Sequence, residues 1–223
     1  DTLPPGTLDG YTLPSGDGSK RNRANLRRAV QLLEEAGWTV QDGRLRNPAG
    51  EALELTVLLQ QDALIQQASA IMDIYAKALE RLGIRLNLQS TDKAQYSERE
   101  RQYDFDLTFM RRSLSLSPGN EQRFYWGSDV ADQPGSRNLM GMKSPAADAM
   151  IDAMLKARSR ADFIAATRAL DRVLTAGRYV IPIHNYAVGR IAHLKELRYP
   201  ENDLPIYGDG IGFLPEVWWY EED

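Results

Sequence analysis

The sequence contains no cysteine, which excludes disulfide bonds, thiolate catalysis and zinc sites with cysteine ligands. Histidine is almost as scarce: His184 and His193 lack the H-x-x-x-H spacing that puts two metal ligands on one helix face. The chain also lacks the G-x-x-x-x-G-K-[ST] phosphate loop and the G-x-S-x-G nucleophile elbow. The residues therefore predict no metal site, no cofactor and no catalytic triad.

Positive charge and long apolar runs are also scarce. The 27 Lys and Arg against 31 Asp and Glu give a formal net charge of −4, whereas a nucleic-acid binder normally presents a basic face. No apolar run approaches the roughly 18–20 residues that span a bilayer. The 223 residues suffice for one large domain or two small ones. Because the chain starts at Asp1 without a methionine or an apolar leader, we expect a piece of a longer protein.

The middle of the chain alternates between strand and helix patterns. Apolar runs predict strands over 53–59, 84–88 and 105–110, and helical spacing predicts helices over 62–82 and about 92–101. Such an alternation implies parallel pairing with right-handed crossovers. We therefore predict an α/β fold with a mostly parallel βαβαβ sheet flanked by helices.

Capping and turn signals define the elements on either side of this sheet. Asn22 is predicted to cap a helix over 23–36, and Asp42-Gly43 to turn a hairpin between two short strands. Further on, Ser144-Pro145, and Ser159 with Asp162, predict the starts of two helices. The remaining expectations are strands over 179–183 and 188–193, a turn over 208–212 and an aromatic end over 217–220 that must dock on something.

The loop after the third predicted strand holds the candidate ligand-binding residues. Ligands of parallel sheets sit beyond the carboxyl ends of the strands, and guanidinium groups bind carboxylates or phosphates in bidentate fashion. Hydroxyls and aromatic rings follow the arginines in this loop. The candidates are Arg111, Arg112, Ser113, Ser115, Ser117, Asn120, Tyr125, Trp126 and Asn138. The residues alone leave open an alternative, in which the aromatic side chains belong to the core and the arginines to the surface.

Two other functions stay open at this stage. Asp104 and Asp106 share one side of a strand and could form an acid/base or metal-binding pair, or could be solvated residues at the strand start. A hydrolase would use Asp104, Asp106 or His184. A sensor or partner-docking module on the same scaffold would bind a protein instead of a solute.

The order of short motifs along residues 20 to 220 resembles a known family. The motifs are Ala36-Gly37-Trp38, Asp42-Gly43, Leu82-Gly83-Ile84, Tyr96, the YDFDLTFM strand, Tyr125-Trp126-Gly127-Ser128, Asn138, Ser144-Pro145-Ala-Ala-Asp148, Arg168-Ala-Leu170 and Ile181-Pro182. Their order is similar to that in the C-terminal lobe of periplasmic oligopeptide- and dipeptide-binding proteins, the family 5 solute-binding components of ABC importers. The stretch R-x-x-L-S-L-S-P-G-N-E-Q-R-x-Y-W-G-S most resembles the YejA-like branch.

This resemblance implies a periplasmic-binding-protein type II lobe that is not an enzyme. Its partners would be a peptide-like ligand, the transmembrane subunits of an ABC permease and an N-terminal lobe of the same protein. Residues 1–21 would be a lead-in, 22–180 the C-terminal lobe, and 181–223 return strands and a tail that pack on the other lobe. Many members anchor the peptide's α-amino group with an aspartate, which here is replaced by Leu114. The resemblance therefore suggests modified or murein-derived peptides.

Overall fold

The computed structural model describes residues 3–16, 18–19, 22–61, 66–112, 117–183, 191–200 and 214–222. The chain divides into two compact units, Asp1–Val180 and Ile181–Asp223. In the described part of the chain, no helix combines the length and the apolar character needed to cross a bilayer.

The first unit begins with a helix and a hairpin. Helix α1 (Arg23–Glu35) is followed by strands β1 (Thr39–Gln41) and β2 (Arg44–Arg46), which pair antiparallel around the predicted Asp42-Gly43 turn. Both turn residues have positive φ, 49° and 73°, as a tight hairpin requires. Leu45 of β2 is buried and packs with Leu82 and Ile84.

The prediction that Asn22 caps α1 is wrong. Asn22 has φ 36° and ψ 53°, in the left-handed region, and its side chain makes no capping hydrogen bond. A capping residue normally has extended backbone, which lets its side-chain oxygen reach the free N–H groups of the first turn. Here the backbone N–H of Asn22 instead donates to the Ser19 hydroxyl at 3.0 Å.

A three-stranded parallel sheet forms the centre of the first unit, as predicted. In chain order its elements are β3 (Glu54–Gln60), α2 (Gln66–Glu80), β4 (Arg85–Thr91), α3 (Lys93–Arg101) and β5 (Leu107–Thr108). The strand order is β4-β3-β5, with Val57 opposite both Leu88 and Leu107. Val57 and Leu59 of the central strand are buried against Met72 of α2.

Strand β5 is shorter than the predicted 105–110. The side chain of Asp106 accepts a hydrogen bond from the Thr56 N–H at 2.7 Å, and the Asp106 N–H donates to the Thr56 carbonyl at 3.1 Å. Because a side chain takes the Thr56 N–H that a strand backbone would otherwise use, regular pairing starts only at Leu107.

The first unit also contains the α-helices α4 (Glu121–Trp126), α5 (Pro145–Lys156) and α6 (Arg160–Gly177). The predicted caps of the last two are confirmed, since the Ser144 hydroxyl accepts from the Ala147 N–H and the Ser159 hydroxyl accepts from the Asp162 N–H. Helices α5 and α6 pack together and bury a core of Ala147, Ile151, Leu170 and Val173 with Met142.

The lead-in at the start of the chain packs against α6. Arg172 donates to the Leu8 carbonyl at 3.2 Å, and the Arg178 guanidinium lies 5.4 Å from the centre of the Tyr11 ring. Thr7 is buried and its hydroxyl donates to the Pro4 carbonyl. These contacts give residues 4–11 a defined place on the first unit.

The second unit contains little regular structure among its described residues. Strand β6 (Leu197–Arg198) pairs antiparallel with β7 (Trp219–Tyr220), and a short helix α7 (Leu214–Val217) precedes β7. Part of the predicted aromatic end packs within this unit: the centre of the Trp218 ring lies 4.5 Å from that of Tyr199 and 5.1 Å from that of His193.

The two strands predicted before β6 are not found in the described residues. Residues 179–183 and 191–193 form no strand; positions 188–190 lie outside the described residues, as does the predicted turn over 208–212. A strand needs a partner for its backbone N–H and C=O groups, and no described strand pairs with residues 179–183. Pro182 removes one of the donors such a pairing would use.

Candidate ligand-binding site

The candidate site begins where the chain leaves the carboxyl end of β5. Phe109 still packs in the core with Leu107, whereas Arg111 is exposed and Arg112 is half-buried. Because β5 runs parallel to β3, this exit lies at the edge of the sheet where ligands of parallel sheets bind. Both arginines thus reach the expected edge even though the strand ends two residues early.

The Arg112 side chain stacks on the two aromatic residues of α4. Its guanidinium carbon lies 4.1 Å from the centre of the Tyr125 ring and 4.8 Å from that of Trp126, within the range of cation–π attraction. Its Nη2 also donates to the Arg137 carbonyl at 3.4 Å. Burial lowers the pKa of the Arg112 guanidinium from its ordinary value, and the nearby Tyr125 opposes this shift. Arginine nevertheless stays charged at neutral pH.

A second guanidinium flanks the same tyrosine. Arg137 donates to the Tyr125 hydroxyl at 3.4 Å, and its guanidinium carbon lies 5.8 Å from the ring centre. The sequence predictions did not include Arg137. Arg137 directly precedes the predicted site residue Asn138 in the stretch G-S-R-N-L (135–139), and this position was the one signal that could have identified it.

Other candidates occupy different parts of the same region. The Trp126 ring packs against the core of α5 and α6, and its indole N–H donates to the Gln122 side chain at 3.1 Å. Asn120 directly precedes α4 and is exposed, and Ser117 is exposed as well. Ser113 and Ser115, like Leu114 between them, lie outside the described residues.

Asn138 belongs to the framework of the loop between α4 and α5. Its side chain is 0% exposed. Its amide nitrogen donates to the carbonyls of Gly127 and Met142 at 3.0 and 2.8 Å, and its amide oxygen accepts from the Met142 N–H at 2.9 Å. Asn138 thus shapes the loop through three hydrogen bonds, and its contact with a ligand stays a prediction.

Neighbouring residues hold the same loop against α5. The Ser128 N–H donates to the Asp148 carboxylate at 3.0 Å, and the Ser128 hydroxyl accepts from the Ser144 N–H at 3.0 Å. A Cβ on Gly127 would lie 2.5 Å from the Arg123 carbonyl oxygen, so this position has no room for a side chain. The motif residues around Trp126 and Ser144 thus fix the platform on which Arg112 lies.

The two aspartates considered for catalysis have structural partners instead. Asp104 forms an ion pair with Arg99, with Oδ2 and Nε 2.6 Å apart. Asp106 accepts from the Thr56 backbone at the start of β5. His184 lies outside the described residues. Across the residues with assigned positions, no group of three or more histidines and carboxylates could hold a metal ion.

The parallel βαβαβ sheet flanked by helices, with a basic and aromatic loop at its carboxyl edge, defines a lobe of the periplasmic-binding-protein type II fold. The family model for bacterial extracellular solute-binding proteins, family 5 Middle, matches residues 1–133, and the chain belongs to this family. The resemblance noted from the sequence motifs is confirmed.

Three relatives illustrate the match. An uncharacterised protein y4wM of Sinorhizobium fredii and a probable peptide-binding protein YejA of Agrobacterium fabrum are each 39% identical over 221 residues. A peptidoglycan-binding protein YepA of Agrobacterium fabrum is 36% identical over 219 residues. Each alignment covers 98% of this chain but only 32%, 35% and 34% of the respective relative. The chain therefore spans about a third of the length of the curated relatives it matches.

Solved structures share the fold at low sequence identity. AppA of Bacillus subtilis, in complex with a nonapeptide, has a TM-score of 0.61 at 21% identity over 76% of this chain and 33% of that one. MelB of Agrobacterium fabrum, in complex with stachyose, has a TM-score of 0.58 at 19% identity and covers 70% of this chain and 25% of that one. NikA of Brucella suis, in complex with Fe(III)-EDTA, has a TM-score of 0.55 at 20% identity and covers 79% of this chain and 33% of that one. Because these ligands are a peptide, a sugar and a metal chelate, the fold does not decide the ligand.

Proposed function

We propose that this chain is one lobe of the solute-binding component of an ABC importer, which captures a peptide-like solute in the periplasm and delivers it to the membrane permease. Membership of the family 5 solute-binding proteins supports this proposal, as do relatives whose names describe peptide and peptidoglycan binding. The observation that carries it is the placement of Arg112 on Tyr125, beyond the carboxyl end of the parallel sheet.

The candidate residues offer the groups that a peptide needs. Arg111 and Arg112 would bind carboxylates in bidentate fashion, and Ser113, Ser115, Ser117 and Asn120 would hydrogen-bond its backbone. Tyr125 and Trp126 would limit the volume available to side chains. Among the described strands, β5 is an edge strand, and an edge can pair with an extended peptide through main-chain hydrogen bonds whatever the side chains are.

A second lobe would complete the site. Residues 22–180 would form the C-terminal lobe, with 1–21 as the lead-in, and 181–223 would pack on an N-terminal lobe of the same protein. The apolar side chains of Ile181, Ile183 and Trp219 are exposed, which supports such a contact, since burying one of them would contribute about 1.5–3 kcal/mol. Closure of the two lobes about a hinge would then bury the solute, and the closed form would be the one recognised by the permease.

Native mass spectrometry tests the proposal. The protein, produced at the full length of its relatives and purified from the periplasm without unfolding, is expected to carry a peptide-like mass that disappears on denaturation. The isolated chain of 223 residues is the matched control. We expect it to carry no solute, because it would lack the contacts of the proposed N-terminal lobe. The proposal is overturned if the full-length protein retains no solute and captures none from a mixture of short peptides and peptidoglycan stem peptides.

A further inference from the structure

Arg112 and Arg137 form a pair of like charges around one ring. Their guanidinium carbons lie 4.1 and 5.8 Å from the same point, the centre of the Tyr125 ring, so they are less than 10 Å apart. This upper limit is close to the Debye length at physiological ionic strength, about 8 Å, so salt screens the repulsion between the two charges only in part. Arg111 adds a third guanidinium one residue away in the chain.

These three guanidinium groups form no salt bridge with a carboxylate of the described residues. The ion pairs of the described residues, including those of Arg44, Arg99 and Arg123, involve none of the three arginines. Their polar partners are neutral: the Met110 sulfur and the Arg137 carbonyl for Arg112, and the Tyr125 hydroxyl for Arg137. Three guanidinium groups without ion-pair partners among the described residues thus lie near one loop, in a chain whose formal net charge is −4.

Because Arg112 is partly buried, its charge is less well hydrated than that of an exposed arginine and has no carboxylate partner, in the part of the chain that the structure describes, to compensate. Its guanidinium has lost part of its water to Tyr125 and Trp126, and this burial lowers its pKa. The aromatic faces return some of the lost hydration energy through cation–π attraction. An anion arriving at this place would interact with a charge that water screens poorly, and it would relieve the repulsion between the two arginines.

We propose that Arg112 and Arg137 together bind a carboxylate of the solute, so that the protein selects acidic peptides over neutral and basic ones. This inference rests on the proposed function and deepens it by naming the ligand's charge. Tyr125 is the positioning residue, because its ring stacks on the Arg112 guanidinium and its hydroxyl accepts a hydrogen bond from the Arg137 guanidinium. Basic peptides are excluded by the same charges, which gives selectivity through repulsion as well as attraction.

A capture experiment with a peptide mixture tests this selectivity. The full-length protein, freed of bound solute by unfolding and refolding, is incubated with an equimolar mixture of acidic, neutral and basic tri- to pentapeptides, and captured species are identified by native mass spectrometry. We expect peptides with two or more side-chain carboxylates to be enriched at least about tenfold over neutral ones, one good charged contact being worth about 1.4 kcal/mol or more. The enrichment should fall as salt is raised.

Variants assign the selectivity to the pair. Arg137→Gln and Arg112→Gln should each lower the ratio of captured acidic to captured neutral peptides several-fold, and Arg137→Lys should restore part of that ratio. Arg168→Gln, which removes an exposed arginine from the surface of α6, is the matched control and should change nothing. Capture of peptides in the same charge proportions as the input overturns the inference and leaves the proposed function standing. Capture of no peptide overturns both.

Discussion

The side chain of Asn138 forms two hydrogen bonds with the backbone of Met142. The Asn138 amide nitrogen donates to the Met142 carbonyl at 2.8 Å, and the Met142 N–H donates to the Asn138 amide oxygen at 2.9 Å. A third bond ties the same amide to the Gly127 carbonyl at 3.0 Å. One buried side chain thus closes the loop that carries Arg137 next to the helix that carries Tyr125.

Substitution of Asn138 by alanine should therefore destabilise the fold. It leaves two carbonyls and one N–H without partners in a buried place, and we expect a loss of about 2–5 kcal/mol in the free energy of unfolding. Urea unfolding measures this loss. Asn120→Ala, at an exposed position without a capping hydrogen bond, is the matched control. Equal stability of the two variants would contradict a structural role for Asn138.

Removal of the stacked guanidinium should have a smaller effect on stability. We expect Arg112→Gln to lower the free energy of unfolding by about 0.5–2 kcal/mol, the range of a cation–π contact that is partly shielded from water. Thermal unfolding followed by circular dichroism measures this change. Arg168→Gln, at an exposed position on α6, is the control. An increase in stability would mean that relief of charge repulsion outweighs the stacking.

Comparing Gly83 with Gly50 separates the cost of a left-handed backbone from the cost of a steric clash. Gly83 has φ +77°, and a Cβ there would lie 2.6 Å from the Leu45 nitrogen. Gly50 has φ +85° with nothing within 4 Å of its Cβ position. We expect Gly50→Ala to cost about 1–2 kcal/mol from the left-handed backbone alone, and Gly83→Ala to cost clearly more, measured by urea unfolding. Equal losses would show that the hairpin moves aside freely.

The ion pairs of Asp152 predict a pH dependence. Its hydrogen bond from Lys156, at 2.9 Å, and then its pairing with Arg123 lower the pKa of the Asp152 carboxyl from its ordinary value. A lowered folded-state pKa stabilises the fold above the unfolded-state pKa of about 3.9, and this contribution is lost as pH falls through the folded-state value.

Asp152→Asn should therefore lose less stability than the unsubstituted chain between about pH 5 and about pH 3. Urea midpoints at the two pH values measure the difference. Asp171→Asn is the control, since Asp171 is exposed and forms no ion pair with another described residue. If the two variants lose the same stability over this interval, the pairing of Asp152 contributes nothing.

Local signals predicted most of the first unit. Asp42-Gly43, Ser144-Pro145 and Ser159 each act through the geometry of one turn, so residue type and spacing suffice to find them. The parallel sheet followed from the alternation of apolar periods, because parallel strands need crossover helices. The exit of the chain at the carboxyl edge then placed Arg111 and Arg112 in the candidate site.

Contacts between distant residues could not be predicted in this way. Residue type and periodicity do not show that Arg137 contacts Tyr125, or that Asn138 is buried by the loop around it, since both depend on how residues 127–142 fold back. Asn22 has the residue type of a cap but not the backbone conformation. The strand over 179–183 had suitable side chains, but pairing also requires a neighbouring strand, which sequence periodicity cannot supply.

The hydrogen bond from the Leu45 N–H to the Gly83 carbonyl, 2.9 Å long, ties the hairpin to the turn before β4. Leu45 is 1% exposed, and Leu82 and Ile84 beside it are buried as well. A chain shortened to begin at residue 48 would keep the whole parallel sheet but would open this corner to water and leave the Gly83 carbonyl without its donor. Any truncated version intended for ligand assays or crystallisation should therefore retain residues 22–47, although none of them approaches the candidate site in sequence.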